Sequence, residues 1–168
     1  MQVFGVGMNA ELTALSSDEE FCYLALLTVE GIKPLSRWEM RLDHDQLLEL
    51  ERLELHGSTL TRGTQWGRLV THAIFSRSRS LLQKHRSAFN GGAISFDAQS
   101  VRREGLDFGY PACCVEAFIE NGYQLNGFTH EDQSLLFHWA CPDCKQTSQL
   151  LPAYRCIFHS FMSGGVLI

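Results

Sequence analysis

The sequence predicts an α+β fold in a single domain, residues 1–168, with a small N-terminal sheet, several helices and a cysteine-rich C-terminal part. Three observations lead to this prediction. A length of 168 residues is typical of one domain. Strand-like patterns occur early in the chain, and helical patterns follow them. Five of the six cysteines lie in the last third of the chain. No repeat, linker composition or low-complexity segment indicates a second domain.

The first third of the chain predicts two strands and one helix. Residues 21–29 form a short apolar run between charged and glycine-containing segments, which is typical of a buried strand. Residues 37–42 alternate in polarity and predict a second strand. Asp43 is placed to cap a helix that extends to about Leu55, because leucines recur there at helical spacing. Gly57 is expected to end this helix.

The middle of the chain predicts one long helix. Residues 65–89 carry apolar side chains at helical spacing, and the glycine-rich triplet at 90–92 is a helix stop signal. Residues 93–96 predict a short strand after that stop. The sheet is therefore expected to be small, with most of its residues in the first third of the chain.

Shorter helices and tight turns are predicted in the last third. Pro111 is suited to the first position of a helix over residues 112–120. Thr129 begins an approximate capping box ahead of a helix over residues 133–139. Pro152 is expected to start one more helix, which extends through residue 161.

The composition excludes several classes of protein. Apolar residues make up 45% of the chain and charged residues 20%, which excludes disordered and fibrous proteins. The net charge of −5 argues against nucleic acid or an anionic membrane as a partner. The longest apolar run is too short to cross a bilayer, and residues 1–7 lack the features of a secretion signal. We therefore expect a cytoplasmic protein that binds neither nucleic acid nor a membrane. The sequence does not identify its partner and leaves a protein partner open.

The six cysteines are the most informative residues. In a reducing compartment, clustered cysteines are metal ligands or catalytic groups more often than disulfides. Cys22 stands alone in an apolar run, and we expect it to behave as a core side chain. The other five cysteines define a predicted metal-binding region at residues 109–160.

The strongest single motif is Cys141-Pro-Asp-Cys144. A Cys-x-x-Cys turn points two thiolates at one centre and can hold a tetrahedral metal. Cys156 and His159 follow with the same two-residue gap, so they are one candidate pair to complete the site, close to the ligand spacing of small zinc modules. In the competing interpretation, these two residues face a helix interior and solvent.

The second motif is the adjacent pair Cys113 and Cys114. Both follow Pro111 in the first helical turn, where unpaired N–H groups and the helix dipole favour a thiolate. Because neighbouring helical side chains diverge by about 100°, we expect one to point to the core and the other to the site. A site that joins Cys113 or Cys114 to Cys141 and Cys144 would suit zinc or an iron–sulfur cluster. It predicts that the sulfur of Cys113 or Cys114 lies within about 7 Å of those of Cys141 and Cys144.

Residues 109–118, Gly-Tyr-Pro-Ala-Cys-Cys-Val-Glu-Ala-Phe, resemble the Gly-(Tyr/Phe)-Pro-x-Cys-Cys-Val-x-x-Phe signature of an uncharacterised prokaryotic domain family. That family also has a later Cys-x-x-Cys followed by Ser or Thr, to which residues 141–147 are similar. The resemblance covers about residues 105–150. It implies that the four cysteines at 113, 114, 141 and 144 belong together, without implying an activity.

Two histidine-containing segments have both a metal-related and a simpler structural interpretation. His138 lies three residues before Cys141 and is placed to act as an outer ligand, as a hydrogen-bond partner of the ligands or as an acid–base group. The competing interpretation is an ordinary histidine on a helix. The Asp-His-Asp run at residues 43–45 is better explained by a helix cap than by a metal site.

Three functions are compatible with these residues. The first is a cysteine-ligated zinc or iron–sulfur protein, with a redox or catalytic role open. The second is an interaction module in which zinc has only a structural role. The third is a metal-free thiol enzyme that uses a cysteine at a helix N-terminus as its nucleophile. The cysteine spacing favours metal binding, without distinguishing zinc from an iron–sulfur cluster or identifying a reaction.

Overall fold

The computed structural model describes residues 17–163, which contain seven helices and three strands and have the predicted α+β class. Residues 1–7, on which the expectation of no secretion signal rests, lie outside this range. In the described range, no helix is long and apolar enough to span a membrane. The elements in chain order are α1 (Ser17–Val29), β1 (Ser36–Trp38), α2 (His44–Arg52), β2 (His56–Gly63), β3 (Leu69–Ser76), α3 (Arg79–Phe89), α4 (Ala98–Asp107), α5 (Ala112–Asn121), α6 (His130–Leu135) and α7 (Lys145–Met162).

The three strands form one antiparallel sheet with β3 in the centre, in the order β1-β3-β2. The registers pair Ser36 with Phe75 and Leu60 with His72. Because side chains alternate across a strand, Phe75 and its neighbour Ile74 point to opposite faces of the sheet. Each face can therefore bury its own apolar layer.

Helices cover both faces of the sheet. Phe21 and Leu24 of α1 pack with Phe75 on one face, together with Leu50 of α2. On the other face, Ile74 lies in a cluster with side chains from β2, from the helices α3 and α5, and from the segments that precede β1 and α5. The cluster comprises Leu35, Leu60, Ile74, Leu82, Phe89, Phe108, Tyr110 and Val115. The sheet is thus the middle layer of three.

A third apolar cluster lies on the far side of α1 and joins it to α7. Tyr23 of α1 packs with Tyr154 of α7, and its hydroxyl donates to the backbone oxygen of Leu135, 3.2 Å away. The same cluster contains Cys114 and Cys144. The two ends of the described chain therefore meet beside the cysteine-rich region.

The prediction of a strand at residues 21–29 is wrong, because this run lies in helix α1. The helix is buried on two sides, against the sheet through Phe21 and against α7 through Tyr23. Apolar side chains all round the helix remove the periodicity that distinguishes a helix from a buried strand. Three consecutive acidic residues in the first turn, which favour a helix N-terminus, were the missed signal.

The prediction of one helix over residues 65–89 is also wrong in its first half. Residues 69–76 form strand β3, and the helix α3 begins only after its N-cap Ser78. The β-branched residues of this segment favour a strand, and the hairpin with β2 buries them. Gly57 lies inside β2 and does not end α2. Residues 93–96 form only an isolated bridge, between Ala93 and Gly63.

The observed boundaries of the elements match the predicted ones best where a capping residue can be recognised in the sequence. Asp43 caps α2 in a capping box with Gln46, as predicted, and α5 follows Pro111 as predicted. Strand β1 is shorter than the predicted 37–42, and α6 ends at Leu135, before the predicted 139. Pro152 lies inside α7 and does not start it. The helix starts earlier because Cys144 is its N-cap.

A tight contact fixes the turn that precedes α5. Gly109 has a φ of +76°, and a Cβ placed on it would lie 2.5 Å from Cδ of Pro34. Pro34 belongs to the loop after α1. In the same loop, Nζ of Lys33 donates to the backbone oxygen of Phe108 at 3.3 Å. The loop after α1 therefore holds the start of the helix that carries Cys113 and Cys114.

Gly109→Ala is expected to lower the free energy of unfolding by about 2–3 kcal/mol, because it adds left-handed backbone strain to a steric clash. Gly122→Ala is the matched control, since Gly122 also has a positive φ but has no atom within 4 Å of the added Cβ. Urea unfolding of both variants measures the difference. Equal losses would show that the Pro34 contact is not tight.

Lys33 is a buried cation inside a cage of aromatic rings. Its ammonium lies 4.5 Å from the ring centre of Tyr110, 5.4 Å from that of Phe137 and 5.7 Å from that of Phe108. Burial, together with the charge of Arg37, lowers the pKa of Lys33 to about 7. The ring faces and the Phe108 carbonyl offset part of the cost of burying the ammonium.

The free energy of unfolding is expected to rise with pH between about 7 and 10, by about 1–3 kcal/mol relative to Lys33→Met. Below pH 7, Lys33 is protonated in both the folded and the unfolded state, and the free-energy cost of burying its charged ammonium is fully present. Within the range, the unfolded chain binds a proton that the folded chain does not, so raising the pH favours folding. Urea unfolding of both proteins across this range measures the effect. Parallel pH profiles would contradict it.

A second buried charged group lies on the face of the sheet to which Ile74 points. Oε1 of Glu104 in α4 lies 2.6 Å from Nη1 of Arg62 in β2 and 3.2 Å from Nη1 of Arg37 in β1. The side chains of Arg62 and Glu104 are only 2% and 5% exposed. This carboxylate therefore links both edge strands of the sheet to α4.

Candidate metal centre

Four cysteine sulfurs lie together at the start of α5 and the start of α7. The Sγ atoms of Cys113, Cys114, Cys141 and Cys144 are all within 4.8 Å of one another. Sγ of Cys144 lies 3.3 Å from that of Cys114 and 3.5 Å from that of Cys113, and Cys114 lies 3.8 Å from Cys141. The predicted proximity of these sulfurs is confirmed.

Each pair of cysteines is positioned by the start of a helix. Pro111 begins α5, and its carbonyl accepts the N–H of Cys114. The Cys141–Cys144 turn closes through the N–H of Cys144, which donates to the carbonyl of Cys141, with Asp143 in the left-handed region at φ +53°. The turn leads directly into α7, where Cys144 accepts the N–H of Thr147 as the N-cap.

The expectation that only one of Cys113 and Cys114 faces the site is wrong. Side chains in a helix tilt toward its N-terminus, so those of the first turn project past the end of the helix. The Cys141–Cys144 turn lies across this end, where neighbouring side chains converge on one centre. Cys113 is exposed, whereas Cys114 is 3% exposed and belongs both to the site and to the apolar cluster between α1 and α7.

The four thiols differ in their hydrogen bonds and burial, and three of them have pKa values that differ for these reasons. The N–H of Cys141 donates to Sγ of Cys114, and the N–H of Thr147 donates to Sγ of Cys144, both at 3.3 Å. Burial raises the pKa of Cys144, but hydrogen bonds from Thr147 and from the neighbouring cysteines outweigh it and lower the pKa to about 7. Burial raises the pKa of Cys114, and burial with cysteine contacts raises that of Cys141 to about 11. Cys144 is therefore the most acidic of these three thiols.

His138 does not touch a sulfur but reaches the site through Thr147. Its Nε2 lies 3.0 Å from Oγ1 of Thr147, which in turn lies 3.5 Å from Sγ of Cys114. His138 and Thr147 are 2% and 0% exposed. Burial, with the charge of Lys33, lowers the pKa of His138 to about 3, so the ring is neutral at pH 7. When Cys114 is a thiolate, as metal binding requires, Thr147 donates to its sulfur and accepts from His138, because a thiolate only accepts hydrogen bonds.

Thr147→Val is expected to weaken metal binding by about 10- to 100-fold, because it removes the hydroxyl that orients and stabilises the thiolates but keeps the side-chain shape. Thr147→Ser is the control, since it keeps the hydroxyl. Competition with a chromophoric zinc chelator measures the affinity, and circular dichroism checks the fold. Equal affinity of the valine variant and the native chain would contradict this role.

The chemistry of the four sulfurs fits a single tetrahedral ion. Zinc–sulfur bonds of about 2.3 Å in a tetrahedron place the sulfurs about 3.8 Å apart. The three distances of 3.3, 3.5 and 3.8 Å and the outer limit of 4.8 Å lie around this value. An iron–sulfur cluster distributes its thiolates over two or four irons, so some of its sulfur pairs must lie farther apart.

The remaining candidate ligands lie elsewhere. Cys156 and His159 are exposed on α7 and do not belong to the group of sulfurs. Cys22 is partly buried beside the sheet-facing side of α1. The Asp-His-Asp run at residues 43–45 begins α2, with its first aspartate as the cap. Thr147 was not identified from the sequence as a hydrogen-bond partner of the cysteines. The signal was its position three residues after Cys144, because an N-cap side chain accepts the N–H of the third residue after it.

Comparison of this chain with protein-family models, with curated proteins and with solved structures finds no match. The resemblance of residues 105–150 to the prokaryotic family with the Gly-(Tyr/Phe)-Pro-x-Cys-Cys signature therefore stays a prediction. The four-sulfur group stands independently of it, because it rests on the distances between the sulfur atoms. Four thiols at this spacing could hold a metal ion.

Proposed function

We propose that the protein binds one zinc ion through Cys113, Cys114, Cys141 and Cys144. The observation that carries this proposal is the mutual spacing of the four sulfurs, all within 4.8 Å. Four thiolates are a common ligand set of structural zinc sites. The acidic thiol of Cys144 supports the proposal further, because a cysteine must lose its proton to bind a metal.

The spacing favours zinc over an iron–sulfur cluster as the metal. Roughly 1 Å of adjustment brings every sulfur pair to the edge of one tetrahedron. The N–H of Cys141 donates to Sγ of Cys114 and holds the two pairs close together, and the side chains of Cys114 and Cys144 are buried. A cluster would have to separate these pairs and break the bond from Cys141 to Cys114.

The proposed role of the ion is structural. Four protein ligands leave no open coordination position, which is typical of structural zinc and not of catalytic zinc. The ion would join the start of α5 to the start of α7, two elements that share few other contacts. It would also neutralise part of the charge of four thiolates at the ends of two helices. Zinc would thereby fix the C-terminal third as a rigid surface.

Metal analysis of the protein purified without chelators tests the proposal. We expect about one zinc per chain and a colourless solution. The Cys156→Ser, His159→Ala double variant is expected to keep the zinc, and the Cys113→Ser, Cys114→Ser double variant to lose it. A brown protein with stoichiometric iron and sulfide would overturn the choice of metal. Retention of full zinc by the Cys113 and Cys114 double variant would overturn the site.

A further inference from the structure

The four sulfurs of the proposed zinc site are not equally accessible. Cys114 and Cys144 are 3% and 2% exposed, and Cys141 is partly buried. Cys113 is exposed to solvent. A reagent in solution can therefore approach the sulfur of Cys113 while the protein covers those of Cys114 and Cys144.

The sulfurs also differ in the hydrogen bonds that they accept. Backbone N–H groups donate to Cys114 and Cys144, and such bonds withdraw electron density from a thiolate. Among residues 17–163, no backbone N–H donates to Sγ of Cys113. Its neighbours are Sγ of Cys144 at 3.5 Å and the side-chain amide of Gln146 at 3.7 Å. Cys113 thus keeps more electron density than the two buried thiolates.

We propose that Cys113 is a nucleophile of the metal-loaded site and a modification site for soft carbon electrophiles. This inference rests on the proposed zinc binding, because coordination to a metal keeps a cysteine deprotonated at neutral pH. A ligand that is both exposed and free of backbone N–H bonds is the thiolate at which such an electrophile can react. The site then has three covered ligands that hold the ion and one reactive ligand.

The reaction is a displacement at carbon. A lone pair on Sγ of Cys113 forms the new sulfur–carbon bond, and the bond from that carbon to the leaving group breaks. The leaving group departs as an anion with the bonding electron pair. No proton is released, because the metal-bound sulfur is already a thiolate, and no oxidant is needed. The product is a neutral thioether, a weaker zinc ligand than the thiolate that it replaces.

Iodoacetamide is the probe that tests this inference. The zinc-loaded full chain is treated with less than one equivalent of reagent, and the labelled cysteines are located by peptide mass spectrometry. We expect Cys113 to be carbamidomethylated at least about tenfold faster than Cys141, with Cys114 and Cys144 slower still. Cys156 is an exposed thiol outside the site and serves as an internal reference. Cys156→Ser is expected to leave the labelling rate of Cys113 unchanged.

The outcomes separate this inference from the proposed function. Labelling of Cys141 as fast as Cys113, or labelling of Cys156 alone, in a chain that holds one zinc would overturn the inference and leave the zinc site standing. A chain that binds no zinc would overturn both. Removal of the zinc with a chelator is expected to slow the labelling of Cys113 relative to that of Cys156, because the metal then no longer keeps the sulfur of Cys113 deprotonated. An unchanged ratio of these two rates without zinc would show that the metal does not activate Cys113 and would overturn the inference.

Discussion

Cys144→Ser is expected to abolish stoichiometric zinc binding and to lower the free energy of unfolding by more than about 3 kcal/mol. Cys144 combines three roles, since it is a proposed ligand, the N-cap of α7 and a member of the cluster between α1 and α7. A serine hydroxyl keeps the cap but does not replace a thiolate ligand. Binding of zinc to such sites contributes about 10–16 kcal/mol, most of which depends on a complete ligand set.

Elemental analysis and thermal unfolding, with and without added zinc, measure these effects. Cys156→Ser is the matched control, because Cys156 is exposed on the same helix and lies outside the four-sulfur group. Cys22→Ala is also expected to keep the metal, because Cys22 lies outside the four-sulfur group. If Cys144→Ser retains one zinc per chain, or if added zinc does not raise the melting temperature of the native chain, the proposed site is wrong.

Glu104→Gln is expected to lower the free energy of unfolding by about 3–5 kcal/mol without affecting the metal site. The substitution removes the carboxylate that pairs with Arg62 at 2.6 Å, in a region where both side chains are almost fully buried. The amide preserves the shape of the side chain but leaves a buried guanidinium without its counter-charge. Such an unpaired charge costs more than the ion pair itself contributes.

Glu116→Gln is the control for this prediction. Glu116 pairs with Arg102 on the surface, and both side chains are more than 40% exposed. Solvent screens this pair, so its loss is expected to leave the unfolding midpoint nearly unchanged. Urea unfolding compares the two variants, and zinc content shows whether the site survives. Similar losses for the buried and the surface pair would show that Arg62 finds another counter-charge.

The group of four cysteine sulfurs was the most predictable part of the molecule. Helix α5 after Pro111 and the Cys141–Cys144 turn depend on local chemistry, namely the fixed φ of proline and the geometry of a short turn. The chain between them is short, so their approach could be expected before the structure was known. The convergence of both Cys113 and Cys114 on one site could not be expected. It depends on the Cys141–Cys144 turn lying across the start of α5 and not beside it.

The N-terminal half was less predictable because tertiary contacts decide its secondary structure. Residues 21–29 are apolar on two sides because the sheet and α7 cover them, which is not visible in the local pattern. Strand β3 was hidden because its buried central position gives it apolar residues on both faces. Arg62 and Glu104 are 42 residues apart in the sequence, so no local motif predicts that they form an ion pair.

The pairing of the cysteines also has a consequence for the unfolded chain. Cys114 and Cys141 are 27 residues apart, and any covalent or coordinate link between the two pairs closes a loop of about this size that contains α6. Closing such a loop removes about 3–4 kcal/mol of chain entropy from the denatured ensemble. In an unfolded chain that keeps this link, the restraint would hold the starts of α5 and α7 near each other before any tertiary contact forms. The approach of α1 to α7, which are far apart in the sequence, would then be the costlier step in loop closure.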